Sequence, residues 1–219
     1  TKPKAINWRD SYSAADKIPL GCYVLFNELE TYTNQDVITS TKTVYEALKT
    51  VPDSTKTTLL FINNHIYFDN EESESLIKYV EDGNSVFISS SYFYGNVLDT
   101  LNISIERGYS NFYKKPSHNR FVNKRLKKND RLFKDVIENS YFSSIDTLKT
   151  TVFGTNTVED EDEIEKTNIN YIKVLFGENN GAFYLHTNPF AFSNYHLLND
   201  KEDYAATVLS YLPKQQIIW

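Results

Sequence analysis

Two continuous apolar runs separated by a capped helical segment constrain the fold of this chain more than any other feature. The runs Leu59–Ile62 and Val86–Ile88 have the composition of strands that are covered on both faces. Between them, Asp69 and Glu72 have the spacing of a capping box, and Gly83 supplies the left-handed residue that ends many helices. The pattern predicts a βαβ unit, whose two strands lie parallel with a right-handed crossover.

Periodicity and turn residues predict further elements on both sides of this unit. Helices are predicted over Tyr23–Leu29, Val44–Val51 and Val97–Leu101, and from an Asp200 cap to Leu212, with Pro52 and Pro213 as terminators. Strands are predicted at Asp36–Thr39 and Ile217–Ile218, and a hairpin joins Ile169–Phe176 to Ala182–His186 across Gly177–Gly181. We therefore expect one α/β domain over residues 1–219, with three layers and a mostly parallel sheet.

The region from 103 to 155 has a different character. Long polar and basic stretches surround short alternating runs such as Tyr141-Phe142 and Thr151-Val152-Phe153. We interpret it as an irregular or β-hairpin insertion within the same domain.

Length and composition exclude several classes of protein. A chain of 219 residues buries enough surface to fold without a disulfide or metal. The single cysteine, Cys22, excludes an internal disulfide and a multi-cysteine metal cluster. No apolar run reaches the length of about 18 residues that a membrane span needs.

The sequence lacks methionine even at position 1 and ends in the apolar Ile217–Trp219, so we expect a piece of a longer chain; a processed N-terminus is the alternative.

Charge is concentrated in one segment. Residues 113–134 contain nine Lys or Arg and one Asp, a net charge of +8, whereas the whole chain carries −6 and the remainder therefore −14. Such a segment is typical of a solvated hairpin that pairs with an acidic body. The alternatives are contacts with an acidic partner, anionic lipid or nucleic acid, and the acidic balance of the whole chain disfavours nucleic acid.

Polar residues follow three predicted strands at the point where each ends. Because ligands of parallel sheets bind at the carboxyl ends of strands, these residues are the first candidates for a binding site. The candidate ligand-binding residues are Asn63, Asn64, Ser89, Ser90, His186 and Asn188.

Catalytic and metal chemistry have weaker support. A nucleophile–base pair requires Ser90 or Ser91 within reach of His186 or His65, and no Gly-x-Ser-x-Gly elbow surrounds the serines. Cys22 precedes a predicted helix but has no identifiable base. The four histidines lack metal-binding spacing, the acidic run Glu159–Glu163 lacks the pattern of a calcium loop, and no phosphate- or dinucleotide-binding motif is present. We therefore assign no catalytic residue, metal or cofactor.

Three stretches resemble one known family. Ile6–Gly21 resembles a Trp…Tyr-Ser…Asp-Lys-x-Pro-Tyr-Gly opening, and Phe176–Tyr195 resembles a Phe-Gly…Leu-His-Thr-x-Pro-x-x-Phe-Thr-Asn-Tyr signature. Ser210–Trp219 resembles the closing strand of that family. Together they resemble the bacterial domain-of-unknown-function 4350 family over essentially the whole chain.

The resemblance implies a fold similar to class I glutamine amidotransferases, with a flavodoxin-like sheet. It also implies a membrane-anchored bacterial protein, with one transmembrane helix before this domain and one or more after it, and this chain as its extracytoplasmic, periplasmic part. Amidotransferases need a cysteine where Ser89–Ser91 stands here, and family members usually carry another small residue at the position of Cys22. Both departures disfavour amidotransferase activity.

The leading functional hypothesis is a membrane-tethered, non-catalytic module that binds a small polar ligand or a protein partner. The alternatives are a Ser/His hydrolase of the same fold and a basic flap that binds anionic lipid or nucleic acid. For the block His186–Tyr195, a purely structural role in tying a loop to the sheet remains an equal alternative.

Overall fold

A mixed sheet of eleven strands forms the centre of the computed structural model, which describes residues 5–49, 51, 55–108, 115–126, 130–136, 139–159 and 165–219. The strands are β1 (Val37–Ile38), β2 (Thr57–Ile62), β3 (His65–Tyr67), β4 (Ser85–Ser89), β5 (Tyr92–Tyr94), β6 (Ser104–Gly108), β7 (Lys115–Phe121), β8 (Asp130–Val136), β9 (Asn139–Ser144), β10 (Thr150–Glu159), β11 (Glu165–Phe176), β12 (Gly181–His186) and β13 (Gln216–Ile218). The α-helices are α1 (Tyr23–Thr33), α2 (Val44–Leu48), α3 (Asn70–Glu81), α4 (Asn96–Leu101), α5 (Asn194–His196) and α6 (Glu202–Leu209). A 3-10 turn covers Pro189–Phe192, and a π-helical turn covers Leu197–Lys201.

The predicted βαβ unit is confirmed as β2, α3 and β4. The two strands pair in parallel, with Leu59 opposite Val86. At the start of α3, the Asp69 carboxylate accepts from the Glu72 backbone N–H at 2.8 Å, and the Glu72 carboxylate accepts from the Asp69 N–H. After α3, Gly83 has φ +93°, the left-handed conformation that glycine adopts without steric cost.

The prediction of a three-layer α/β fold with a mostly parallel sheet is wrong. Parallel pairing covers β1, β13, β2, β4 and β12 in that order, and antiparallel pairing then continues through β11, β10, β7 and β8. β9 joins β11 and carries β6, again antiparallel. Within the described residues, strand residues outnumber helical residues, so the domain is a mostly β, mixed-sheet structure.

The two halves of the sheet differ in the composition of their strands, and this difference explains the wrong prediction. The parallel strands β2, β4 and β12 are buried on both faces and therefore form apolar runs that stand out. Strands β6 to β10 are richer in polar residues, which weakens the apolar pattern by which strands are recognised. These strands, which span the region interpreted as an insertion, belong to the central sheet.

Helices cover both faces of the parallel half. Along β2, Leu60 contributes to a core with α1 and α6, whereas Leu59 contributes to a second core with α2, α3 and α4. The same alternation places Phe87 and Val86 of β4 in the two cores. The start of β12 lies so close to α3 that a Cβ at Gly181 would meet the Val80 carbonyl oxygen at 1.7 Å.

The other predicted elements have mixed outcomes. The hairpin of β11 and β12 is confirmed, as are helices α1 to α4 and the closing strand β13. The predicted Asp200 cap is wrong, because Asp200 lies within the π-helical turn that leads directly from α5 into α6. Helix α6 therefore continues directly from the wider π-helical turn and does not begin at a separate N-cap.

Candidate functional site

The carboxyl ends of β2, β4 and β12 lie side by side, as the parallel pairing predicts. Ile62, Ser89 and His186 occupy matching register positions on the three strands. Residues that are far apart in the sequence therefore meet at one edge of the sheet. A binding or catalytic role requires that some of these side chains reach solvent.

Ser89 and His186 form the centre of a buried hydrogen-bond network. The Ser89 hydroxyl lies 2.8 Å from Nδ1 of His186, and Nε2 of the same ring lies 3.0 Å from the Tyr204 hydroxyl. Tyr204 donates to Oδ1 of Asn119 at 3.4 Å, and Asn170 donates to that oxygen at 2.6 Å. The network thus connects β4 and β12 with α6, β7 and β11.

Burial determines the chemistry of this network. His186 is 2% exposed and Ser89 is fully buried. Loss of hydration lowers the pKa of His186 to about 3, because burial disfavours the imidazolium form. Burial also raises the pKa of the Tyr204 phenol. At neutral pH every group of the network is uncharged. The network therefore stabilises the fold and offers no accessible nucleophile.

The serine that contacts His186 differs from those expected for a hydrolase. The hypothesis required Ser90 or Ser91, whereas the observed contact is with Ser89. Ser90 instead donates to the Asn64 carbonyl at 3.0 Å and lies within the turn toward β5. Ser91 is also buried, and its carbonyl accepts from Ser140 of β9 at 2.7 Å.

The three candidate asparagines have different environments. Asn63 is exposed beyond β2. Asn64 is buried, and its amide donates to the Asp10 carboxylate at 3.2 Å. Asn188 is buried ahead of the 3-10 turn, and its Oδ1 has no hydrogen-bond partner within the described part of the chain. Of the six predicted binding residues, only Asn63 presents an exposed side chain.

Asn194 explains much of the block that ends at Tyr195. Its amide donates to the carbonyls of Asp16 and Ile18 at 2.9 and 2.8 Å, and its oxygen accepts from the Val24 backbone N–H at 2.8 Å. One side chain thereby fastens the N-terminal loop and the start of α1 to this block. The contacts are those of a structural role.

Three further candidates do not form a reactive group; they are Cys22, His118 and His196. Cys22 is fully buried beside the Phe192 carbonyl, and burial raises the pKa of its thiol. His118 contacts Asp130 on the β7–β8 hairpin, and His196 is buried. Across the described ranges, no three His, Cys, Asp or Glu residues are grouped as metal ligands.

The basic segment contains an antiparallel hairpin of β7 and β8 at one edge of the sheet. Arg120 pairs with Asp130 within the hairpin, and Arg131 pairs with Asp203 of α6 at 3.0 Å. These pairs are those expected of a solvated hairpin beside an acidic body. Five residues of the segment lie outside the described residues; they are Tyr113, Lys114, Lys127, Lys128 and Asn129.

Sequence reasoning missed an exposed surface beside this edge, which we call the aromatic face. It consists of His65, Tyr67, Tyr92, Tyr94 and Arg107. Strands β3 and β5 pair in parallel, with His65 opposite Tyr92 and Tyr67 opposite Tyr94. Their inward residues are buried, so the four rings share the outer side.

The aromatic face is ordered by stacking. The His65 and Tyr92 rings are 4.1 Å apart and nearly parallel, and the Arg107 guanidinium lies 3.7 Å from the centre of the Tyr92 ring. Tyr67 and Tyr94 remain 67% and 46% exposed. The sequence signal was the alternation in His65-Ile-Tyr67 and Tyr92-Phe-Tyr94, each too short to be predicted as a strand.

Fold and site together define a mixed-sheet domain in which Ser89 and His186 are enclosed in a neutral network and the neighbouring surface is aromatic. The chain belongs to the family described as Domain of unknown function (DUF4350), whose profile matches residues 14–212. Membership in this family is therefore confirmed. The comparison with curated proteins gives no match.

Comparison with solved structures gives matches at low identity. The exo-beta-1,4-mannosidase Op5Man5 from Opitutaceae bacterium strain TAV5 matches with a TM-score of 0.50 and 9% identity, over 95% of this chain and 34% of that one. This chain thus spans about a third of the mannosidase. The N-terminal domain of mmIFT52 matches with a TM-score of 0.49 and 14% identity, over 79% and 82% of the two chains. At such identities the likeness concerns the fold alone.

Within the described residues, no helix combines the length and hydrophobicity that a membrane crossing requires.

Proposed function

We propose that this chain is a non-catalytic binding domain, and that its aromatic face binds a partner protein through a segment that carries a carboxylate. The observation that supports the proposal is the stack of His65, Tyr92 and Arg107 beside the exposed rings of Tyr67 and Tyr94. The proposal keeps the binding role expected from the sequence and moves it from the strand-end residues to the neighbouring surface.

The composition of the face favours a protein partner. Tyrosine and arginine are enriched among residues that contribute most to protein–protein binding. The tyrosine ring buries a large contact area at low entropic cost. Stacking on Tyr92 holds the Arg107 guanidinium in place before binding. A preorganised guanidinium favours a carboxylate, which it binds through two parallel hydrogen bonds.

A hydrolase requires that substrate reach Ser89, and burial of Ser89 and His186 opposes this. The 2.8 Å contact between them is the one observation in favour of that alternative. Assays with chromogenic esters and amides compare the wild-type chain with Ser89→Ala. We expect no turnover by either, and turnover that the substitution abolishes would establish a hydrolase.

Site-specific photo-crosslinking tests the binding role. We introduce p-benzoylphenylalanine at Tyr67, or at Leu148 as a control that is 95% exposed in the turn before β10. The expected result is a discrete protein adduct from position 67 in cells, with none from 148. Arg107→Gln should remove the adduct, and substitution of the partner's acidic residues at the mapped contact should do the same. Equal adducts at both positions, or none at 67, would refute the proposal.

We also propose the membrane-anchored, extracytoplasmic location for the full protein. The sequence resemblance to a bacterial membrane-anchored family supports it. Alkaline phosphatase fused after this domain in the full-length bacterial protein provides the test. High phosphatase activity with fractionation into membranes is expected, and an inactive fusion would contradict the proposal.

A further inference from the structure

A cavity of about 360 Å³ opens beside the carboxyl ends of β2 and β13. Its size falls within the range of roughly 300–1,000 Å³ that is typical of small-molecule sites. Its walls come from α2, β2, β3 and β13, so it is separate from the Ser89–His186 network. The cavity borders the aromatic face, because His65 and Tyr67 belong to both.

The floor of the cavity is apolar. Leu59, Ile66 and Phe68 are buried members of the core on this side of the sheet, and Val44 of α2 lies across from them. The Phe61 and Phe68 rings meet edge to face, with centroids 5.1 Å apart. Such a surface favours the flat apolar body of a ligand over a strongly hydrated one.

The mouth of the cavity is polar and positively charged. Ser40, Lys42, Asn63 and His65 lie there. Among the side chains of the described lining residues, Lys42 carries the one permanent charge, and none is acidic. Lys42, Asn63 and His65 are exposed, so their donors can turn toward a bound group. An apolar floor below a single ammonium is complementary to an amphipathic anion.

We propose that this cavity binds a small organic acid with a flat apolar body. The body lies on Leu59, Ile66 and Phe68, and the carboxylate lies at the mouth near Lys42. This site goes beyond the proposed function, since it requires neither Arg107 nor Tyr94, and either proposal can fail alone.

A larger groove at the opposite end of the strands provides an internal control. Its volume is about 830 Å³, and Lys49, Lys56 and Lys78 line it together with Asp82. Lys56 donates to the Asp82 carbonyl, and the Lys49 ammonium lies 3.9 Å from the centre of the Tyr45 ring. Non-selective attraction of anions to lysine would therefore engage this groove as well.

The probe is 3-phenylpropionate, compared with 3-phenylpropanol and 3-phenylpropylamine, in titrations of the ¹⁵N-labelled chain followed by NMR. We expect the acid to shift the amides of residues around Lys42, Asn63 and His65, and to bind about threefold to tenfold more tightly than the alcohol. Lys42→Gln should remove this preference, whereas Lys49→Gln should leave it unchanged.

Several results would overturn the proposal. They are equal affinity for acid, alcohol and amine, an equal effect of both lysine substitutions, shifts centred on the larger groove, or no binding at about 10 mM probe. Both substituted lysines are exposed, so the variants should keep the fold.

Discussion

The Ser89 hydroxyl lies 2.8 Å from Nδ1 of His186, yet neither side chain has appreciable contact with solvent. A serine beside a histidine ordinarily suggests a nucleophile and its base. Here the other ring nitrogen contacts Tyr204, and the whole group is neutral and enclosed. We conclude that the pair stabilises the junction between β4 and β12.

Stability should depend on pH through His186. Its pKa is about 3 in the folded state and about 6.5 when unfolded, so between these values only the unfolded state gains the proton. The free energy of unfolding should therefore fall as pH falls through this window, by up to about 1.4 kcal/mol per pH unit. Urea unfolding of the wild-type chain and His186→Gln measures this. The difference in stability between them should narrow by about 2–3 kcal/mol from pH 7.5 to about 4.5. Parallel curves would contradict a buried neutral imidazole.

Tyr204→Phe should destabilise the fold by about 1–3 kcal/mol, because it leaves Nε2 of His186 without its buried partner. Tyr94→Phe removes the same hydroxyl from an exposed ring and should change stability by less than about 0.5 kcal/mol. Chemical denaturation of both variants provides the comparison. Similar losses in the two would show that the network contributes little.

Gly181→Ala should be strongly destabilising, by about 3 kcal/mol or more, since the new methyl group would overlap the Val80 carbonyl. Asn179→Ala in the same turn is the control. It removes one exposed hydrogen bond to the Glu81 carbonyl and should cost no more than about 1 kcal/mol. Thermal melts followed by circular dichroism report both. A nearly unchanged melting temperature for Gly181→Ala would mean that α3 and β12 can separate at little cost.

Cys22 should be unreactive while the chain is folded. Its side chain is fully buried, and burial raises the pKa of the thiol, so very little thiolate forms. Ellman's reagent should label it in urea and leave it unmodified in buffer. Complete labelling of the native chain within minutes would indicate that the N-terminal loop opens readily.

The parts of the fold that could be predicted are those with strong local signals. The Asp69 capping box, Gly83 and the apolar strands β2 and β4 are visible in consecutive residues. In the antiparallel half, the β11–β12 hairpin and a hairpin in the basic segment could be predicted. The membership of β6 to β10 in the central sheet could not, because a strand with polar residues on its exposed positions lacks a continuous apolar run. The pairing partners of these strands are also distant in sequence, as for β7 and β10.

The sequence predicts that Ser89 and His186 lie at the same edge of the sheet, but not that both are buried. Register alone brings Ser89 and His186 together. Their burial depends on Tyr204 and Asn119, which approach from α6 and β7 and share no local pattern with them. Asn119 did carry a signal, because asparagine is depleted inside strands and a buried one requires partners.

The ends of the central sheet bear on how the chain behaves at high concentration. Two of its borders are β1, only two residues long, and β8, which bears Asp130, Arg131 and Lys134. A brief border offers few unpaired backbone groups, and a charged one repels an incoming copy of itself. Strand-to-strand polymerisation through β1 or β8 is thereby discouraged.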